Sequence, residues 1–420
     1  MSLLAKLFRE TVSSYKDVSM KNEKVADVGY STGFPNFDMR NASMVHVKNE
    51  EKGLDYKYYM VGITDGSITT VIGRSGCGKS TFCYQIAANI IRPFKTSCIY
   101  ADEIESGMQD SRKETLTGFI GEELKNRIIS RNTGVTSENF YERVKLIHDI
   151  RINHASEFEY NTGYVDYKGD EIYKLEPCVY ILDSWALLRP KGLTEEETMS
   201  GQMSVTSSAK TNTEILRRII PMLKNANINL FIINHILKDV SINPYARTVK
   251  QNQYLDEGER CPGGDTIFYL ANNLIKLYDS HLKPETFDID GSIVTCSFKK
   301  SRTNKAGKET YLVYNQAIGY DPELSLYVTM HKAKLITNSG SYMYFVGHPE
   351  MKFQQKKLKE KLRNDNEFRK LFMQIAMEYL SQMVDDEVEE EKKEVETTTN
   401  VVSDFYSMIN YRHGNESNQS

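Results

Sequence analysis

Gly73-Arg74-Ser75-Gly76-Cys77-Gly78-Lys79-Ser80, with Thr81 following, spells G-x-x-x-x-G-K-S. That spacing lets backbone N–H groups close around a phosphate, with glycines where the turn is tightest. Lys79 would reach the β- and γ-phosphates, and the Ser80 hydroxyl would ligate Mg²⁺. The chemistry implied is binding and hydrolysis of a nucleoside triphosphate.

Such a loop needs a strand before it and a helix after it. Ile68-Thr69-Thr70-Val71-Ile72 is a β-branched run fit for a buried parallel strand, and Phe82 to Ile91 is mostly apolar and helix-tolerant. The positive end of that helix would then face the phosphate. Ser97 to Glu103 reads as a second buried strand ending in acids. Glu103 is the candidate base orienting an attacking water, with Asp102 as rival; a plain loop carboxylate is the other reading. Cys178-Val179-Tyr180-Ile181-Leu182-Asp183-Ser184 is a third strand, and Asp183 at its end has the Walker B position that holds Mg²⁺ through water. The class expected is therefore α/β, around a mostly parallel central sheet.

The 420 residues suffice for one large core with appendages, and 40% hydrophobic with 26% charged residues is an ordinary globular balance. No apolar run approaches membrane-spanning length, and the N-terminus lacks a signal-peptide pattern. The six cysteines are scattered without a C-x-x-C pair, which argues against a zinc site or a disulfide framework and for a reducing cytoplasm. Asp385 to Glu396 holds eight acids and two lysines, −6 against a net charge of −4, so the remainder carries +2. Bulk charge therefore does not decide about polyanions.

Leu3, Leu4, Leu7, Phe8 and Val12 recur at helical spacing, for a helix docked on its own domain or on a neighbouring subunit. Residues 31–57 read as a turn and a polar, lysine-rich stretch. Tyr164 to Lys174 resembles a surface hairpin. Ile228 to Ile233 is another strand, ending at Asn234-His235. The stretches 187–213 and 238–262 lack hydrophobic periodicity, and loops this long in a compact domain are functional or disordered. Ser292–Phe298 and Glu309–Tyr314 pair around a basic turn, Lys299 to Lys308. That turn reads either as a solvated tip or as cations offered to a phosphate at a subunit boundary. Residues 352–384 read as helices. The tail from 385 is acidic, then Thr/Asn/Ser-rich, too polar to order itself, with Phe405–Ile409 as a weak docking peptide.

In order along the chain, STGFPNFD, GRSGCGKST, Glu103, VYILDS, IINH, CPGGDTIFYLANNLIKL, FKKSRTNKAG and IGYDPELSL resemble the RecA-type recombinases, most closely the UvsX-type phage branch. The resemblance covers about residues 30–340. It implies a RecA-like ATPase core at 56–337; the flanking residues divide, on pattern and composition, into an N-terminal helix and lead-in at 1–55, a C-terminal helical region at 338–384 and a disordered tail at 385–420. It implies ATP and Mg²⁺ held by the Gly73–Thr81 loop and Asp183, Glu103 as catalytic glutamate, and His235 as γ-phosphate sensor. Lys300 and Arg302 would reach the neighbour's ATP. The loops at 187–208 and 238–264 would bind DNA, with Arg189, Lys191, Lys238, Arg247, Lys250, Arg260, Gly263 and Gly264 as their contacts. The activity implied is DNA-stimulated ATP hydrolysis by a helical homo-oligomer on single-stranded DNA. Such a filament would pair with duplex DNA during strand exchange, served by a single-strand-binding protein or a mediator. The place would be the cytoplasm, that of a bacterial host if phage-encoded. Two other readings share the motifs. A hexameric DnaB-type helicase has a similar lead-in and K-x-R, but the roughly 60 residues before the core are short for its N-terminal domain. A RecA-like mediator is disfavoured by the intact acids.

Overall fold

Short runs rich in Val, Ile, Leu and Tyr, apolar on both faces, build the middle of the protein, as buried parallel strands must. The computed structural model describes residues 27–105, 107–166, 168–192, 201–238 and 252–416, without the side chains of 201–207, Ser339 and 394–416. The expected helix at residues 3–12, Arg247, Lys250 and the side chains of Phe405–Ile409 lie outside the described residues.

α1 (Pro35–Arg40) and a hairpin of β1 (Ser43–Asn49) and β2 (Leu54–Met60) come first. β3 (Ile68–Gly73), α2 (Lys79–Ile91), β4 (Ile99–Glu103), α3 (Asp110–Thr117) and β5 (Ile128–Arg131) follow. After α4 (Ser137–Asn153), a second hairpin of β6 (Glu159–Val165) and β7 (Glu171–Leu175) leads to β8 (Cys178–Asp183), α5 (Gly201–Asn225) and β9 (Ile228–His235). β10 (Asn273–Asp279), β11 (Ser292–Ser301), β12 (Lys308–Asn315) and β13 (Gly319–Asp321) complete a nine-stranded sheet of order β13-β12-β11-β10-β3-β9-β8-β4-β5. From β10 to β5 all pairings are parallel; β11, β12 and β13 extend the sheet antiparallel. The expected α/β class and mostly parallel sheet are present.

Alternation along β8 shows how the sheet is covered. Val179 and Ile181 face a core shared with Phe82, Ile86 and Ile90 of α2. Tyr180 and Leu182 face one shared with Phe140 and Val144 of α4 and Leu216 and Ile219 of α5. Six parallel strands thus end along one edge of the sheet, where ligands bind in open α/β folds.

Several expectations need correction. Residues 31–57 are not just a turn and polar coil, because β1 and β2 alternate in period two and pack one face inward. The second hairpin is not a bare surface feature: the Tyr58 and Tyr164 rings stack at 4.3 Å, and the Tyr56 hydroxyl donates to the Val165 carbonyl at 2.9 Å. α5 begins at Gly201, inside the stretch expected to be loop. The boundaries expected at 55/56 and 337/338 fall within β2 and within β14 (Ile336–Ser339), which pairs with β15 (Tyr342–Phe345), itself paired with β16 (His348–Phe353). α6 (Pro322–Lys332), α7 (Leu358–Asn364) and α8 (Asn366–Glu416) pack around this small sheet in a third core. α8 buries Phe368, Phe372, Ala376, Leu380 and Val384, one residue per turn. It does not stop at 384 as expected. Asp385 accepts from the Tyr59 hydroxyl at 2.8 Å, and Glu387 pairs with Arg40 at 2.7 Å and with Lys308, so the first acids past 384 are tied down by one tyrosine and two cations.

Candidate active site

The glycine loop leaves β3 at Gly73 and enters α2 at Gly78, which caps the helix at φ +77°, a conformation that favours glycine. A Cβ there would also meet the Tyr320 hydroxyl at 2.9 Å, and that hydroxyl donates to the Cys77 carbonyl at 2.8 Å. Tyr320 of β13 therefore props the loop from below. Above it opens a cleft of about 450 Å³ lined by Gly76, Gly78, Lys79, Ser80, Thr81, Tyr314 and Gln316. The first turn of α2 carries no acid, which leaves its positive end uncompensated.

The side chains around the loop converge. Lys79 Nζ donates to the Arg74 carbonyl at 2.8 Å and to His235 Nδ1 at 3.3 Å. Lysine can only donate, so Nδ1 accepts and Nε2 carries the proton given to Glu105 Oε2 at 2.6 Å. Ser80 Oγ donates to Asp183 Oδ2 at 2.5 Å. Burial pushes the Asp183 carboxyl up from its ordinary range, with nearby Glu105 adding to the shift; Ser80, Lys79 and His235 oppose it. A divalent cation beside Asp183 would reverse that shift. One hydroxyl and one carboxylate suit a hard cation that takes its other oxygens from water and phosphate. Among the described residues no group of three or more His, Cys, Asp and Glu could hold a metal unaided. The residues present thus fit Mg²⁺ with a triphosphate and no metal held by protein alone.

The two acids expected to compete for the water-orienting role are both engaged. Glu103 accepts from the Tyr84 hydroxyl at 2.7 Å and from Lys113 Nζ at 3.0 Å, with the two charged side chains 5% and 3% exposed. Asp102 is fully buried under Arg131 at 2.6 Å, Arg143 at 2.5 Å and the Tyr180 hydroxyl at 2.5 Å.

Both long loops leave the same sheet edge. Past Asp183, Trp185 is buried and its indole N–H donates to the Gly263 carbonyl at 2.8 Å. Gly263 sits at φ +91°, and a Cβ on it would meet the Trp185 ring at 2.6 Å. Past β9, Leu237 and Lys238 pair with Arg260 and Glu259, so the second loop begins and ends as a two-stranded stem. Glu259 accepts from buried Lys276 at 2.6 Å, and Arg74 of the glycine loop stands 4.0 Å from its other oxygen. Arg189, Lys191, Lys238 and Arg260 are exposed around this region, and Gly264 follows Gly263 at the surface.

Lys300 and Arg302 are elsewhere. Lys300 registers with Leu274, and Leu274 with Thr70, three residues back from Gly73 or about 10 Å along the strands and two strands aside. Lys300 Nζ donates to the carbonyls of Phe268 and Tyr269 at 2.9 and 2.7 Å, and Arg302 stands 3.4 Å from the latter. Burial, with Arg302 nearby, pulls the Lys300 ammonium below its ordinary range. Neither cation is directed at the glycine loop of its own chain.

Sequence reasoning brought Lys79, Ser80, Asp183 and His235 together and missed Glu105, Tyr314, Gln316, Tyr320 and Trp185. The strand pattern ends at Glu103, and nothing local marks Glu105. No protein-family model matches the chain, and no curated protein matches it significantly.

Proposed function

We propose that this chain is an ATP-dependent recombinase, a RecA-like P-loop ATPase that forms a helical filament on single-stranded DNA and promotes pairing and strand exchange. The observation that carries the reading is a continuous polar path. It runs from Lys79 through His235 to Asn234, whose Nδ2 donates to the Pro262 carbonyl at 2.7 Å, beside the Gly263 turn of the second loop. A group sensing phosphate at Lys79 is thereby fastened to the loop assigned to DNA, as a nucleotide-gated DNA grip requires.

The loop N–H groups and Lys79 bind the triphosphate, and Ser80 with Asp183 hold Mg²⁺, which supplies charge neutralisation of the phosphates when bound. Tyr314 and Gln316 line the far side of the cleft, where a nucleoside would lie. Lys300 and Arg302, directed away from their own glycine loop, serve the site of the next protomer, so hydrolysis depends on assembly. Arg189, Lys191, Lys238 and Arg260 give salt-sensitive phosphate contacts, largely indifferent to sequence.

Negative-stain imaging with single-stranded DNA and a non-hydrolysable ATP analogue tests the reading. Continuous helical filaments along the DNA support it. Discrete six-membered rings move the assignment to a DnaB-type helicase, and DNA-independent particles that bind the analogue move it to a mediator.

A further inference from the structure

Three carboxylates lie near the end of β4, and their surroundings separate them. Asp102 is closed off by two arginines and a tyrosine. Glu103 is closed off by Lys113 and Tyr84, which take one oxygen each. A carboxylate in that position already has its charge balanced and its lone pairs directed into the protein. Glu105 is different. Its side chain is 47% exposed, and one oxygen accepts from His235 Nε2. Its backbone N–H lies 3.3 Å from the Asp183 carbonyl, which fixes it at the mouth of the site.

We propose that Glu105, not Glu103, is the catalytic residue that positions and deprotonates the attacking water, with His235 as the positioning residue that holds it. The inference rests on the reading of the site as an ATPase. The water oxygen forms its bond to the γ-phosphorus while the bond from that phosphorus to the β–γ bridging oxygen breaks. The bonding pair leaves on ADP, and the water proton passes to the Glu105 carboxylate and on to solvent. His235 bridges Lys79 and Glu105, so a phosphate drawn to Lys79 alters the hydrogen bond that aims the carboxylate. Glu103 instead braces α2 against α3: Tyr84 comes from the first and Lys113 from the second.

The test measures ATP turnover by the full-length protein with an oligo-dT strand, for the native chain and for Glu105→Gln, Glu105→Asp and Glu103→Gln. Glu105→Gln is expected to lower kcat at least about 100-fold while KM stays within about three-fold and Tm does not move. Glu105→Asp recovers part of the loss. Glu103→Gln is expected to lower Tm by several degrees, because buried Lys113 loses its counter-charge and keeps only neutral acceptors such as Ser130 Oγ at 2.8 Å. Turnover by Glu105→Gln within about three-fold of native overturns the assignment, as does a folded Glu103→Gln that loses kcat with unchanged Tm. If Glu103→Gln does not fold, Glu105→Gln decides alone. A native chain without ATPase activity on any strand counts against the proposed function instead, which keeps the two failures apart.

Discussion

Asn234 donates from Nδ2 to the Pro262 carbonyl at 2.7 Å and accepts on Oδ1 from the His235 N–H at 3.0 Å, so a fully buried amide binds the end of β9 to the closing turn of the second loop. Aspartate could not do the same, because it has no donor for Pro262. Asn234→Asp or Asn234→Ala is therefore expected to leave nucleotide binding within a few-fold while reducing by about ten-fold the factor by which an ATP analogue strengthens DNA binding. Anisotropy titrations of a labelled oligonucleotide with and without the analogue measure that factor. An unchanged factor means the Pro262 contact carries no coupling.

Arg302→Ala and Lys79→Ala should fail for different reasons. In the proposed assembly the first keeps the glycine loop and loses the cation offered to a neighbour, so DNA-stimulated turnover is expected to fall about 1,000-fold with analogue binding retained. The second loses the binding lysine. Mixed together, the two variants should regain part of the activity, because some interfaces then pair an intact loop with an intact cation. No recovery on mixing would argue that Arg302 acts within its own chain.

Asp38 gives a pH signature to the region leading into β3. Its carboxylate accepts from Ser31 Oγ at 2.5 Å and from the Thr32 N–H at 2.9 Å, while Asn89 of α2 donates to the Thr32 carbonyl at 2.8 Å. Burial outweighs those bonds and pushes the Asp38 carboxyl up to about 6, from 3.8. The folded chain then binds this proton more tightly than the unfolded one. The contribution to stability is full below about pH 4 and is lost as pH rises through about 6, on the order of 3 kcal/mol in all. Asp38→Asn removes the titration. The stability difference between native protein and variant, from urea melts, should shift in favour of the native chain as pH falls from 7 to 4, and a constant difference would contradict the shift.

Phe372 occupies the middle of the stripe that seats α8 on the small sheet, 1% exposed between Phe345 and Phe368. Phe372→Ala is expected to cost about 3–5 kcal/mol by denaturant unfolding. If the third core melts separately, the loss appears as an early transition in calorimetry while binding of an ATP analogue persists.

The parts legible in sequence are those whose signal is local. β3, α2, β8 and β9 each announce themselves by a run that is mostly apolar or β-branched, and the glycine loop by its spacing. The β1–β2 hairpin is harder to read because its outward positions carry His46, Lys48, Asp55 and Lys57, which give the stretch the composition of a polar coil, and β14 to β16 are short strands that gain their burial from α7 and α8. The roles of the acids near β4 are less legible still. Glu103 is neutralised by a lysine ten residues on and accepts from a tyrosine nineteen residues back, and only the folded sheet brings Glu105 to His235, 130 residues away. Type and spacing therefore locate the edge of the sheet that holds the candidate site, whereas partner choice at that edge is a tertiary property.

Trp185 is the one tryptophan in 420 residues, and it stands where the two loops meet. Its indole is dry on both faces and its N–H is tied to the Gly263 carbonyl, so its emission should lie well to the blue. Any rearrangement that withdraws the Gly263 turn lets solvent dipoles reach the ring and moves the emission to the red. The native chain thus contains an optical reporter at its own loop junction. Stopped-flow mixing with nucleotide or oligonucleotide can time events there without a label or a substitution.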